Sequence, residues 1–103
     1  MGIWNIQTWM VSKGKIKEHD EVQKKWYSYS IKKIKKQPRS FNKLFGPVGG
    51  RVLIIEFESL ADYENFFETM FKDEENVKFQ TEWFSYIDPG SWKSFFWRES
   101  ALE

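Results

Sequence analysis

The sequence contains no cysteine and only one histidine, which excludes several kinds of site at once. Without thiols the chain forms no disulfide, holds no thiolate-bound metal and uses no cysteine nucleophile. One histidine without cysteine is also too few ligands for a typical zinc site. The glycines within residues 46–50 match neither the dinucleotide-binding nor the P-loop pattern, because they join two predicted strands instead of opening a helix. We therefore predict no metal and no cofactor.

Long apolar runs are missing as well, and none approaches the roughly 20 residues of a membrane helix. The segment from Met1 to Trp4 lacks the basic and apolar regions of a signal peptide. We expect a soluble, cytoplasmic protein with no membrane partner. The 103 residues predict a single domain, 1–103, with an aromatic tail at 91–101. Residues 102–103 could be a cloning scar and carry no weight.

Aromatic residues are abundant, at 19% of the chain with six tryptophans and ten phenylalanines. One small core cannot bury them all, although each would contribute roughly 1.5–3 kcal/mol when fully buried. The excess predicts an interface or a ligand cavity.

Charge is distributed unevenly although the net charge is only +1. Residues 1–51 carry +9 and residues 52–103 carry −8. One interpretation is two helices whose oppositely charged faces attract each other, and the other is a basic surface for a polyanion. The cluster from Lys32 to Arg39 is the best candidate for that surface, but lysines are also favoured at a helix C-terminus.

Hydrophobic periodicity and turn residues divide the chain into six elements and a tail. The predicted strands are residues 3–11, 39–45, 51–58 and 77–87, and the predicted helices are residues 15–36 and 59–72. Pro38 should end the first helix, and Ser59 should cap the second. This order predicts an α+β fold, a ferredoxin-like βαββαβ sandwich whose antiparallel sheet carries two helices on one face. The tail should dock as an added strand or on a neighbouring molecule.

The strand at residues 52–57 is apolar on both faces until Glu56. Because side chains alternate between the two faces of a sheet, neither face of this strand is built to meet water. The chain's own helices can cover one face only. We therefore expect self-association through the other face, as a homodimer or a higher even oligomer.

Polar side chains on the apolar stripe of the first helix indicate that this helix lines a cavity. His19, Gln23 and Trp26 lie on that stripe, and Trp9 lies on the first strand. A histidine facing a pocket can move protons near neutral pH, so His19 is our candidate catalytic residue. The alternative, which the sequence favours, is a hydrogen-bonded histidine that fills space. Glu56 is a candidate base if it faces the cavity and is simply solvated if it lies at the strand end. The candidate ligand-binding residues are Trp9, Gln23, Trp26 and Glu56.

The passage over residues 50–67, from Gly50-Arg51-Val52 to Asn65-Phe66-Phe67, is followed by Asp73-Glu74-Glu75. It resembles the second half of dimeric α+β barrel proteins, particularly the NIPSNAP-like branch and its antibiotic-biosynthesis-monooxygenase-like relatives. The resemblance implies a ferredoxin-like monomer, pairing of two sheets in a dimer, and a pocket between helices and sheet. That superfamily includes cofactor-independent monooxygenases, haem-degrading enzymes, isomerases and small-molecule binders, so it transfers no catalytic set.

The function expected from the sequence is binding of a small apolar or aromatic molecule by a homodimer. Cofactor-independent oxygenase or isomerase chemistry would then involve His19. The alternatives are a non-catalytic assembly or regulatory module and, third, polyanion binding through Lys32 to Arg39.

Overall fold

A computed structural model describes residues 2–42 and 49–98. The strands are β1 (Ile3–Met10), β2 (Arg39–Asn42), β3 (Gly50–Phe57) and β4 (Lys93–Arg98), and the helices are α1 (Ile16–Tyr29), α2 (Leu60–Lys72) and α3 (Glu74–Phe84). A π-helical segment, Ser30–Ile34, extends α1. The predicted continuation of β2 to residue 45, most of the loop at residues 46–50, and residues 99–103 lie outside the described residues.

The four strands form one antiparallel sheet in the order β2-β3-β1-β4. The two central strands, β1 and β3, are joined through α1 and β2, so the two halves of the chain interleave. This arrangement confirms the predicted α+β, ferredoxin-like fold, with three helices where the sequence predicted two.

Helix ends follow the predicted local chemistry. The Ser59 side chain accepts a hydrogen bond from the Asp62 amide at 3.1 Å and caps α2. The helical path of α1 and its extension stops at Lys35, which adopts a left-handed φ of 59° three residues before Pro38. Both predicted helices are confirmed.

The prediction of a strand at residues 77–87 is wrong, because most of this segment forms α3. Asp73 caps that helix by accepting a hydrogen bond from the Glu75 amide at 3.0 Å, and the acidic first turn suits the positive helix end. Asn76 and Trp83 are buried at helical spacing. The aromatic residues Phe79, Trp83 and Phe84 therefore belong to a helix and not to a strand.

The aromatic tail supplies the fourth strand instead. Strand β4 pairs antiparallel with β1, and Trp4 lies opposite Trp97. One of the two predicted positions of the tail, an added strand, is thus confirmed for its described part.

All three helices pack on one face of the sheet, where Trp9, Leu53, Ile55 and Phe57 join the main hydrophobic core. The opposite face, here called the open face, carries the apolar side chains of Trp4, Ile6, Phe41, Val52, Ile54, Phe95 and Trp97. Trp97 is 60% exposed and Phe95 is 44% exposed. No element within residues 2–42 and 49–98 covers this face. None of the helices described is long and apolar enough to cross a bilayer.

Candidate functional site

A cavity of about 50 Å³ lies between α1, α3 and the centre of the sheet. Its wall is formed by Gln7, Trp9, Val22, Gln23, Trp26, Leu53, Ile55, Phe66, Met70, Phe79, Gln80 and Trp83. Every one of these side chains is uncharged. The half-buried members are three glutamines and Phe79, so the cavity meets solvent beside them, while the rest of the wall is buried.

Two tryptophans of the wall are held by the same histidine atom. The indole N–H groups of Trp9 and Trp83 donate to Nε2 of His19 at 3.0 and 3.1 Å. The two indoles meet edge to face, with ring centroids 4.9 Å apart and planes at 78°. His19 thereby ties β1 and α3 to its own helix, α1.

His19 is fully buried behind this pair of indoles and does not line the cavity. Because Nε2 accepts both indole hydrogen bonds, the ring proton resides on Nδ1, which donates to Oδ1 of Asp20 at 2.8 Å. Burial lowers the pKa of His19, and this outweighs the opposing effect of the Asp20 carboxylate. The imidazole is therefore neutral near pH 7 and orients two walls of the cavity.

Trp26 is fixed by a different partner. Its indole N–H donates to Oδ1 of Asn76 at 3.1 Å, and Nδ2 of Asn76 donates to the carbonyl oxygen of Met70 at 3.0 Å. Asn76 is fully buried, so one side chain joins α1, the end of α2 and the start of α3. All three indoles of the cavity thus donate to protein acceptors.

The three glutamines of the wall differ in their partners. Gln7 donates to Oδ1 of Asn5 at 2.8 Å and accepts from the indole of Trp92 at 3.1 Å. The side chains of Gln23 and Gln80 make no hydrogen bond with any described residue. These two carboxamides are the polar groups of the wall that remain available to a bound molecule.

The structure brings together three of the five residues that the sequence proposed for the site. Trp9, Gln23 and Trp26 share the cavity, and His19 lies directly behind it. Glu56 lies elsewhere, exposed on the opposite face of the sheet. The catalytic role of His19 and the ligand-binding roles stay predictions, and Glu56 has no access to this cavity.

Sequence analysis missed Gln80 and Asn76 and did not place Trp83 in the site. The signal was available in the spacing of residues 76, 80 and 83, which falls on one side of a helix. This helical spacing was not recognised because residues 77–87 were assigned to a strand.

The basic cluster from Lys32 to Arg39 is partly paired with acids of α2 and α3. Lys33 contacts Asp73 and Glu75 at 3.4 and 3.0 Å. Lys36 contacts Asp62 at 2.6 Å and holds the pKa of that carboxyl below its usual value. These pairs favour attraction between oppositely charged helices within the fold. Polyanion binding stays a prediction, and fewer lysines of the cluster are available for it because Lys33 and Lys36 are paired with acids.

Acidic side chains and the histidine do not gather into a metal centre. Among residues 2–42 and 49–98, no three of the His, Asp and Glu side chains are arranged to hold a metal ion.

Comparisons with known proteins identify the fold. No protein-family model matches the chain, and a search of curated proteins finds no match. A NIPSNAP family protein from Agrobacterium tumefaciens has a TM-score of 0.78 at 13% identity, over 99% of this chain and 89% of that chain. An uncharacterized NIPSNAP-like domain protein from Burkholderia xenovorans has a TM-score of 0.80 at 10% identity, over 99% of this chain and 88% of that chain.

A third solved structure is that of SnoaB, a cofactor-independent oxygenase from Streptomyces nogalater. It has a TM-score of 0.73 at 8% identity, over 99% of this chain and 98% of that chain. The structural neighbours are therefore NIPSNAP and monooxygenase-like proteins with the ferredoxin-like fold. They confirm the resemblance expected from residues 50–67 at the level of fold.

Proposed function

We propose that this protein is a cytoplasmic homodimer in which each subunit binds a small apolar or aromatic molecule in the cavity between α1, α3 and the sheet. The observation that carries this proposal is the wall of three tryptophan rings, each fixed by a hydrogen bond that leads away from the cavity. A rigid aromatic wall presents apolar surface at a low entropic cost, as ligand pockets commonly do.

The cavity must widen to admit a ring. Its volume of about 50 Å³ is enough for a few water molecules, whereas a cavity that binds benzene measures about 150 Å³. Phe79 is the half-buried aromatic side chain of the wall, and it contacts Tyr29 edge to face at 5.7 Å. Displacement of Phe79 is therefore the change that ligand entry requires on this proposal.

The test is to remove that obstruction. Phe79→Ala should bind toluene about tenfold more tightly than the wild type, which corresponds to about 1.4 kcal/mol. That value is within what burial of a Phe-sized ring supplies. The matched control is Phe71→Ala, which truncates an exposed phenylalanine of α2 and should leave toluene binding unchanged. Isothermal titration calorimetry gives both affinities, and equal affinities in the two variants would contradict the proposal.

The dimeric part of the proposal is supported by the open face. Contiguous apolar patches larger than a few hundred Å² are rare on monomers, and this face spans all four strands. Arg39, Glu56 and Lys93 supply polar side chains on the same face. A patch that is apolar with some charged groups suits a two-fold contact with a second copy, because an isologous interface pairs the patch with itself.

The finer proposal is cofactor-independent oxygenase or isomerase chemistry on the bound molecule. It is supported by the fold shared with SnoaB and by the mostly aromatic and aliphatic side chains of the cavity wall. No described residue of the wall is titratable, so the protein would act by orienting the molecule and excluding water. His19 is then a positioning residue that acts through Trp9 and Trp83.

The non-catalytic alternative is favoured by that same lack of an acid or base in the described wall. The two proposals differ in turnover. An enzyme converts a ligand that Phe79→Ala admits, and proton NMR would record a product, whereas a non-catalytic assembly or regulatory module leaves the ligand unchanged.

A further inference from the structure

The charge of the ligand follows from the wall of the cavity. No described wall residue carries a charge, and neither Asp20, which pairs with His19, nor Arg51, which pairs with Asp20, lines the cavity. Burying an ionised group without a counter-charge is strongly unfavourable. The site therefore selects against anions and cations.

Most of the hydrogen-bonding side chains of the wall already have partners within the protein. The N–H groups of Trp9 and Trp83 donate to His19, and that of Trp26 donates to Asn76. An indole has no other donor and no acceptor, so these residues offer a ligand only their ring surfaces. The Gln7 amide already makes one hydrogen bond through its nitrogen and one through its oxygen.

Two carboxamides remain, on two of the three helices that border the cavity. Gln23 lies on α1 and Gln80 lies on α3, both are half-buried, and neither bonds to a described residue. Each carboxamide provides an N–H donor and a carbonyl acceptor. A molecule whose ring lies against the tryptophans would therefore have one edge facing the carboxamides of Gln23 and Gln80.

We propose that Gln23 and Gln80 select a neutral ligand with an apolar ring and one polar edge that both donates and accepts, such as a phenol or a cyclic amide. This inference rests on the proposed function, since it specifies the ligand of the same cavity. Discrimination arises because an apolar edge leaves two half-buried amides without partners, and a charged edge finds no counter-ion.

The test compares four probes of similar size by isothermal titration calorimetry near neutral pH: phenol, toluene, benzoate and benzylammonium. Wild-type protein should bind phenol at least as tightly as toluene and should bind both ions at least about 100-fold more weakly. In the double variant Gln23→Leu with Gln80→Leu, phenol should lose about tenfold relative to toluene, because its hydroxyl is buried without a partner. Gln37→Leu makes the same chemical change at an exposed position and should leave the ratio unchanged.

The outcomes separate the two levels of the proposal. If toluene and phenol bind but their ratio is the same in the double variant, the selection by glutamines is wrong and the binding cavity stands. Benzoate or benzylammonium binding as tightly as phenol would also overturn the selection. If none of the four probes binds at millimolar concentration, the cavity is not a binding site and both proposals fail.

Discussion

Replacing His19 by leucine tests the hydrogen bonds that build the cavity wall. The substitution places an apolar side chain of moderate size at a fully buried position and removes the acceptor of two indole N–H groups. Leaving one buried donor without a partner costs about 1–3 kcal/mol. Two orphaned donors predict a loss of about 2–6 kcal/mol in the free energy of unfolding, which is a large share of the 5–15 kcal/mol typical of a domain.

The origin of that loss can be isolated with a second substitution. Trp83→Phe removes one of the two donors, so in the His19→Leu background it should cost about 1–3 kcal/mol less than it does in the wild type. His19→Gln is the conservative control, because its side-chain carbonyl restores an acceptor and should recover part of the stability. Urea denaturation followed by far-ultraviolet circular dichroism, at one fixed protein concentration, gives the free energy of unfolding of each protein. The proteins compared are the wild type, His19→Leu, Trp83→Phe, the double variant and His19→Gln.

Two results would refute this account of His19. The first is a loss below about 1 kcal/mol for His19→Leu, which would show that the indoles find water or other acceptors. The second is simple additivity of His19→Leu and Trp83→Phe, which would show that the two side chains are not coupled.

Three further predictions concern pH, assembly and capping. Burial lowers the pKa of His19 below 6.5, so the unfolded chain binds a proton at this residue more readily than the folded chain. The stability contributed by the neutral imidazole is therefore complete above pH 6.5 and is lost as the pH falls towards the pKa of the folded state. The free energy of unfolding should fall by no more than about 1.4 kcal/mol per pH unit. Urea titrations between about pH 5 and pH 7.5 should show this slope in the wild type and not in His19→Gln, and equal slopes would contradict it. Ile54→Glu places a carboxylate in the open face and should weaken the dimer at least about 100-fold in sedimentation equilibrium. Leu60→Glu, at an exposed site on α2, should leave the dimer affinity unchanged. Equal effects of the two substitutions would exclude the open face as the interface. Ser59→Ala should lower the free energy of unfolding by about 1 kcal/mol through loss of the α2 cap, and an equal loss in Ser28→Ala, at an exposed position in α1, would contradict a capping effect.

Local rules predicted much of the fold. The strand at residues 51–58, the capped helix after Ser59 and the helix ending before Pro38 are each set by neighbouring residues, and the structure has all three. Residues 77–87 were misassigned because the helix start at Asp73-Glu74-Glu75 was not recognised. It is a cap and an acidic first turn, and the dense aromatics beyond it fit either period.

The candidate site was predictable in part for the same reason. Gln23 and Trp26 follow from the apolar stripe of one helix, and Trp9 follows from strand alternation. The environment of His19 could not be derived, since one of its donors comes from β1 and the other from α3, 64 residues away along the chain. Such a junction depends on how helices pack on the sheet and not on any local pattern.

The measurement that tests the central claim most directly is a phenol titration followed through the indole N–H signals in a proton–nitrogen NMR spectrum. The chain has six tryptophans, and they divide into groups by position. Trp9, Trp26 and Trp83 line the cavity, whereas Trp4 and Trp97 lie on the open face. We predict that the three cavity signals shift with phenol concentration while the two open-face signals stay in place. Shifts confined to Trp4 and Trp97, or no shift at all, would contradict a ligand site between α1, α3 and the sheet.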